Sequence, residues 1–257
     1  MRFAPGPGAA ALAAITLFAA GAAGSADLPD VVARVKASVV AVGLYKATNN
    51  PSFTLRGTGF AVGDGLTIAT NAHVVAPAPD HDPGAVLAIQ IRSGAQPRVR
   101  VARLQASAPE HDLALLRIDD APLPPLPLRD SSTVREGAAV AFTGYPIGNL
   151  LGFAPVTHRG IVSSITPIVL PGNSARQLDE RQVRRLRAGT FDIFQLDATA
   201  YPGNSGSPVF DAASGEVIGV VNMVLVRRTR EAALSQPSGF TYAIPANFLA
   251  ELLLISR

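Results

Sequence analysis

Residues 58–75 read TGFAVGDGLTIATNAHVV, in which two short apolar runs lie on either side of the turn sequence GDG. Runs of this length, rich in β-branched and aromatic residues and bounded by Gly and Asp, predict β-strands joined by a tight turn. Similar runs recur at 85–92, 113–118, 138–146 and 192–199. Many short strands separated by turn residues predict an all-β protein, either a sandwich or a barrel.

Two helices are predicted at the ends of this β region. A short helix with Asp30 as its cap precedes the first strand, which begins at Ser38. Residues 246–257 predict a C-terminal helix that opens at Pro245 and buries Phe248, Leu249 and Leu252.

The prolines of segment 121–128 exclude a central strand there, because proline cannot donate to a β-ladder. We interpret this segment as a linker between two β units, one at about 38–120 and one at about 129–245. A charged insert at 174–189 breaks the β pattern and has the spacing of a helix.

Residues 1–26 have the anatomy of a secretory signal peptide. Arg2 supplies a positive start, residues 9–20 are almost all apolar, and Gly24-Ser25-Ala26 forms a plausible cleavage site. The apolar run is shorter than the about 20 residues that span a bilayer. An uncleaved N-terminal anchor is the alternative. Cleavage would leave 27–257 as a chain without stable membrane insertion, in the periplasm or secreted.

Composition excludes several kinds of chemistry. The chain has no cysteine, so disulfides, thiolate catalysis and cysteine-ligated zinc are impossible. The formal net charge of +3 is too small to indicate nucleic acid binding. The basic stretches 181–187 and 226–230 are typical of solvated surfaces.

Residues 201–210, YPGNSGSPVF, place Ser205 between Gly203 and Gly206, directly before an apolar run. Glycine is needed where φ is positive or where another group approaches the backbone closely. A plain tight turn and a loop that presents a nucleophilic hydroxyl both fit this stretch taken alone.

His73 and Asp112 are two further candidates for the same chemistry. His73 follows an apolar strand, where a scaffold presents side chains to a cleft, although a structural histidine also fits that position. Asp112 immediately precedes the apolar run LALL, where a carboxylate needs a hydrogen-bonding partner or caps a strand. His111 should point to the opposite side of the extended chain. His81 and His158 are expected at the surface.

Ser205, His73 and Asp112 together fit nucleophilic catalysis by serine. The hydroxyl needs a base within hydrogen-bonding reach, and the base needs a group that fixes its tautomer. The chain order His, Asp, Ser is that of chymotrypsin-type proteases and differs from the order in subtilisins and α/β-hydrolases.

With these residues, the chain resembles the trypsin-like serine proteases, in particular the HtrA/Deg branch. TNAHVV (70–75), HDLALLRI (111–118) and GNSGSPVF (203–210) resemble the three active-site blocks of that family. HRGIVSSI (158–165) and GFTYAIPANFL (239–249) resemble two blocks around its specificity pocket. The resemblance implies two perpendicular six-stranded β-barrels with the active site in the cleft between them.

The resemblance also implies the role of each residue. His73 would be the general base and acid, Asp112 would orient it, and Ser205 would attack the scissile carbonyl. The backbone N–H groups of Gly203 and Ser205 would form the oxyanion hole. No cofactor or metal is implied.

The resemblance places the specificity pocket on both sides of the nucleophile. Thr199 would lie at its base, where an uncharged residue favours small or medium uncharged P1 side chains over basic ones. The expected substrate-binding residues are Thr199, Ala200, Tyr201, Val221, Asn222 and Met223.

Three departures from the family pattern qualify the resemblance. Asn204 replaces the aspartate that pairs with a new N-terminus in digestive enzymes, so no such zymogen step is expected. Ser207 replaces a common glycine. No peptide-binding PDZ domain is expected after the protease unit.

The function implied is an exported serine endopeptidase that cleaves polypeptides, including unfolded ones. A catalytically silent protease-like chaperone or binding protein is the main alternative, and an esterase with the same triad is a third. Neither the natural substrate nor the oligomeric state follows from the sequence, so a homo-oligomer stays open.

Overall fold

A computed structural model describes residue 1 and residues 27–77, 82–93, 96–119, 121–146, 154–167, 191–222 and 240–256. Most of the predicted signal peptide, the charged insert 174–189, His81 and Met223 lie outside the described residues.

Six antiparallel strands close the first barrel in the order β1-β2-β3-β6-β5-β4. They are β1 (Val39–Tyr45), β2 (Phe53–Val62), β3 (Thr67–Asn71), β4 (Val86–Ser93), β5 (Gln96–Ala108) and β6 (Leu113–Ile118). The register of β3 with β6 pairs Asn71 with Leu113. The chain leaves β3 toward His73 and enters β6 from Asp112, so this register brings His73 and Asp112 to the same end of the barrel.

Six more antiparallel strands close the second barrel in the order β10-β11-β12-β9-β8-β7. They are β7 (Ala139–Gly144), β8 (Val156–Pro167), β9 (Asp192–Asp197), β10 (Pro208–Asp211), β11 (Val217–Asn222) and β12 (Phe240–Pro245). The prediction of an all-β fold is confirmed. Of the two architectures left open by the strand pattern, the structure has the barrel, in two closed copies.

The extended segment between the barrels contacts both of them. The backbone N–H of Leu126 donates to Ala61 of β2, and the carbonyl of Pro127 accepts from Val217 of β11. Leu126 is buried, so its side chain contributes to the core that the two barrels share.

Helices flank the β region as the sequence predicts. Helix α1 (Leu28–Ser38) is capped by Asp27, whose carboxylate accepts from the N–H of Leu28. The prediction of Asp30 as the cap is wrong, because Asp30 already lies in the first turn.

Two further α-helices lie within the described residues. Helix α2 (Ala72–Val75) is a single short turn that carries His73. Helix α3 (Ala246–Ile255) buries Leu249 and Leu252. Within the part of the chain that the structure describes, every helix is too short or too polar to cross a membrane.

Candidate active site

His73 and Asp112 form a direct hydrogen-bonded pair at the end of the first barrel. The Nδ1 atom of His73 lies 2.6 Å from Oδ2 of Asp112, and the backbone N–H of His73 donates to Oδ1 at 2.9 Å. The side chain of Asp112 is only 6% exposed, whereas that of His73 is 29% exposed. The imidazole is therefore accessible to a substrate, while its carboxylate partner is withdrawn from water.

The backbone at Asp112 has an unusual conformation that aims its carboxylate at His73. Its φ is +54°, a left-handed value that Asp tolerates better than most residues. Its carbonyl accepts from the N–H of Ala72 at 3.0 Å and from Nδ2 of Asn71 at 3.1 Å. Asn71 and Ala72, the two residues before His73, thus fix the turn that carries Asp112.

Asn222, at the end of β11, supplies a third donor to the same carboxylate. Its Nδ2 atom donates to Oδ2 of Asp112 at 2.8 Å, and both residues are buried. The family resemblance places Asn222 among the residues of the substrate pocket. The amide of Asn222 thus holds the carboxylate of Asp112 from the second barrel.

Ser205 lies in a buried loop between β9 and β10, and the glycines around it have positive φ. The φ values are +101° at Gly203 and +87° at Gly206. A Cβ atom at Gly206 would lie 2.1 Å from the carbonyl oxygen of Thr58 in β2. Only glycine fits at position 206, because the second barrel's loop touches the backbone of the first barrel there.

Two sets of contacts bring the Ser205 loop to the His73–Asp112 pair. The N–H of Gly206 donates to the carbonyl of Val221, which directly precedes Asn222. A Cβ atom added at Gly57 would lie 2.9 Å from the carbonyl oxygen of Ser205 and 2.7 Å from the side chain of Val74. The loop and helix α2 therefore both pack against the face of Gly57 where a side chain would point.

The backbone donors in the loop fall into two groups. The N–H groups of Asn204, Gly206 and Ser207 each donate to a backbone carbonyl. Among the described residues, no backbone carbonyl accepts from the N–H of Gly203 or of Ser205. These two groups are the ones that the family resemblance assigns to an oxyanion hole.

Two polar side chains of the loop are buried without a hydrogen-bond partner in the described structure. They are the amide of Asn204 and the hydroxyl of Ser207. Both lie against Gly144 at the end of β7, where a Cβ atom would be 2.0 Å from Oγ of Ser207.

The predicted pocket residues that the structure describes lie on both sides of the loop. Ala200 and Val221 belong to the apolar core of the second barrel. Thr199 and Tyr201 are half-buried, and the ring of Tyr201 lies 6.0 Å from that of His158.

The remaining described histidines are packed against aromatic rings away from His73. His111 stacks on Phe248 with ring centroids 4.0 Å apart, as expected for a side chain that points away from Asp112. His158 stacks on Phe142 at 4.8 Å and is half-buried, so its prediction as a surface residue is wrong. Desolvation lowers the pKa of both imidazoles, which favours their neutral form. Across the described ranges, no cluster of three or more His, Asp or Glu could hold a metal.

Comparison with known proteins identifies a family. Residues 57–220 match the trypsin-like peptidase domain. A protein of Pseudomonas putida named probable periplasmic serine endoprotease DegP-like is 31% identical over 172 residues, which cover 66% of this chain and 29% of that protein. A protein of the same name from Pseudomonas fluorescens is 32% identical over 171 residues, which cover 66% and 30% of the two chains. The matched region thus spans about 30% of the length of these curated relatives.

The barrels also resemble a solved structure. The HtrA-type protease AlgW with a tripeptide superposes with a TM-score of 0.60 at 26% sequence identity. The superposition covers 89% of this chain and 62% of that one.

Proposed function

The chain belongs to the trypsin-like peptidase family, and on this premise we propose that it is an exported serine endopeptidase. The observation that carries the proposal is the carboxylate of Asp112, which accepts from both Nδ1 and the backbone N–H of His73 beside the Ser205 loop. A carboxylate only accepts hydrogen bonds, so Nδ1 of the neutral ring carries the proton and Nε2 keeps its lone pair.

This tautomer makes His73 a general base toward Ser205. Nε2 removes the proton of the Ser205 hydroxyl as Oγ attacks the scissile carbonyl carbon. The N–H groups of Gly203 and Ser205 stabilise the negative oxygen of the tetrahedral intermediate. The imidazolium then protonates the leaving amine, which gives an acyl-enzyme that water hydrolyses by the same steps.

The proposed substrates are polypeptides with small or medium uncharged P1 side chains. Thr199 offers no charge at the base of the pocket, and Ala200 and Val221 supply apolar walls. Tyr201 narrows the entrance in this proposal. Accessible peptide bonds of this kind are most abundant in unfolded chains, which is why unfolded casein is a suitable substrate.

We propose that residues 1–26 direct export and are removed. The support is the composition of this segment, together with the word periplasmic in the names of the Pseudomonas relatives. Fractionation and N-terminal sequencing test this proposal. A mature protein that begins near Asp27 in the periplasmic or secreted fraction supports it, and an intact N-terminus in the cytoplasm contradicts it.

The test of the enzymatic proposal combines a fluorophosphonate probe with hydrolysis of unfolded casein. We expect the purified exported chain to be labelled at one serine, which peptide mapping identifies as Ser205, and to degrade casein. A folded chain that neither reacts nor degrades casein would instead support the catalytically silent binding protein.

Replacing Asn222 by alanine tests whether its amide contributes to the site. Hydrogen bonds to a charged group are worth about 1.5–3 kcal/mol. We expect Asn222→Ala to lower kcat/KM at least about tenfold, because Asp112 loses one of the donors that fix its orientation. Steady-state kinetics on a peptide substrate measure the change.

A matched control removes an amide–carboxylate hydrogen bond at the surface. Asn49 donates to Asp82 at 2.7 Å on an exposed loop, so Asn49→Ala should leave kcat/KM unchanged. Equal activity of a folded Asn222→Ala variant and the wild type would contradict the proposed contribution.

A further inference from the structure

Thr58 of β2 is a fully buried threonine of the first barrel that reaches into the nucleophile loop of the second barrel. Its backbone N–H donates to the carbonyl of Ser205 at 2.8 Å. Its hydroxyl donates to the carbonyl of Gly203 at 2.7 Å. One residue therefore holds the carbonyls of the two residues whose N–H groups form the proposed oxyanion hole.

The direction of the Thr58 hydroxyl is fixed by its second contact. The backbone N–H of Tyr145 donates to Oγ1 at 3.0 Å, so the single hydroxyl proton is directed at the carbonyl of Gly203. The carbonyl of Thr58 accepts from the hydroxyl of Thr70 at 2.7 Å, which fixes the backbone of β2 at this point.

The loop needs such support because of its own composition. Gly203 and Gly206 restrict the backbone little, since they lack a Cβ atom. The buried side chains of Asn204 and Ser207 have no hydrogen-bond partner among the described residues. Unsatisfied buried polar groups favour any alternative arrangement that exposes them to water. Hydrogen bonds from the first barrel oppose such a rearrangement.

We propose that Thr58 is a positioning residue whose hydroxyl sets the orientation of the peptide groups around Gly203. By holding the Gly203 carbonyl, it limits rotation about the bonds that aim the neighbouring N–H groups at the oxyanion. The effect is largest in the transition state, when the negative charge develops. The inference rests on the proposed endopeptidase function for its kinetic consequences.

Two substitutions of Thr58 separate its hydroxyl from its shape. Thr58→Val keeps a β-branched side chain and removes the hydroxyl, whereas Thr58→Ser keeps the hydroxyl. A misplacement of about 1 Å in a catalytic group can lower the rate about 10²-fold. We expect Thr58→Val to lower kcat about 10²-fold with little change in KM, and Thr58→Ser to restore kcat to within a few-fold of wild type.

The control is Thr143→Val, which removes another fully buried hydroxyl. Thr143 bonds to the hydroxyl of Thr157 at 2.9 Å, between β7 and β8. We expect this variant to lose stability in urea while keeping the wild-type kcat. Its comparison with Thr58→Val separates loss of stability from loss of positioning.

Affinity for a peptide boronate, which mimics the tetrahedral intermediate, distinguishes positioning from partial unfolding. Fewer folded molecules would reduce the number of binding sites without weakening each site. We therefore expect Kd for the boronate to rise by about the same factor by which kcat/KM falls in Thr58→Val. Unchanged Kd and kcat in folded Thr58→Val, or a Thr58→Ser variant as impaired as Thr58→Val, would overturn the inference.

Hydrogen exchange of the amides at 203–207 tests whether Thr58 restrains the loop, and it does not depend on enzymatic activity. Faster exchange in Thr58→Val, but not in Thr143→Val, is expected. If exchange is faster in Thr58→Val but the wild-type chain has no peptidase activity, the proposed function is wrong and the positioning of the loop by Thr58 is supported. If exchange is unchanged in an active enzyme, the positioning by Thr58 is wrong and the proposed function is unaffected.

Discussion

Replacing Ser205 by alanine is expected to abolish fluorophosphonate labelling and to lower kcat for peptide hydrolysis about 10⁶-fold. The substitution removes the only atom that forms the acyl-enzyme in the proposed mechanism, while the rest of the loop keeps its backbone contacts. Residual hydrolysis above that in water would come from substrate binding and the oxyanion hole alone. Gel-based labelling and single-turnover kinetics measure the two effects.

Ser207→Ala is the matched control, since it removes a second serine hydroxyl from the same loop. Its hydroxyl is buried without a partner in the described structure, so its loss should keep labelling and leave the free energy of unfolding equal or higher. Persistent labelling of Ser205→Ala would show that another residue is the nucleophile.

His73→Ala extends the same test to the base. Because nucleophile and base act in one step, the two single substitutions should be similarly damaging and the double variant little worse. Additive losses in the double variant would contradict a shared mechanism. Casein cleavage that persists unchanged in both single variants would place the active site elsewhere.

Replacing Asp112 by asparagine is the second large effect, with an expected loss of about 10⁴-fold in kcat near neutral pH. Three donors converge on the carboxylate: the backbone N–H and Nδ1 of His73, and Nδ2 of Asn222. An amide has only one acceptor oxygen, so its NH₂ group would face a donor or force the imidazole into the other tautomer. In that tautomer Nε2 carries a proton and cannot accept one from Ser205.

Asp119→Asn serves as the control for charge. Asp119 is an exposed carboxylate that pairs with Arg103 on the first barrel, and exposed pairs contribute little to stability. Asp119→Asn should therefore leave kcat unchanged. Urea unfolding of Asp112→Asn and Asp119→Asn measures any loss of stability. An Asp112→Asn variant with near wild-type kcat would contradict the orienting role of Asp112.

The sequence by itself determined the class of fold and the residues that define the candidate site. Short apolar runs between glycines and prolines predicted strands, since alternation and turn chemistry are local properties. The motifs around His73, Asp112 and Ser205 were each visible within ten residues. The structure places His73 and Asp112 in direct hydrogen bonding, while the catalytic roles of the three residues stay predictions.

The ends of the helices were also largely predictable from the local sequence. Helix α3 begins at Ala246, directly after Pro245, as predicted. The cap of α1 was the exception, because Asp27 and Asp30 flank the same proline-containing turn and both residue types can cap a helix. Pro29 is the local signal that favours Asp27, because proline is preferred in the first turn of a helix and the cap precedes that turn.

Only the tertiary structure shows which groups the side chains of Asn222 and Thr58 contact. Nδ2 of Asn222 donates to Asp112 and the hydroxyl of Thr58 donates to Gly203, across separations of 110 and 145 residues. Local periodicity reports which face of a strand is buried, but it carries no information about which distant group a buried donor meets. That choice depends on how the two barrels pack, because a buried polar group takes the partner that packing provides.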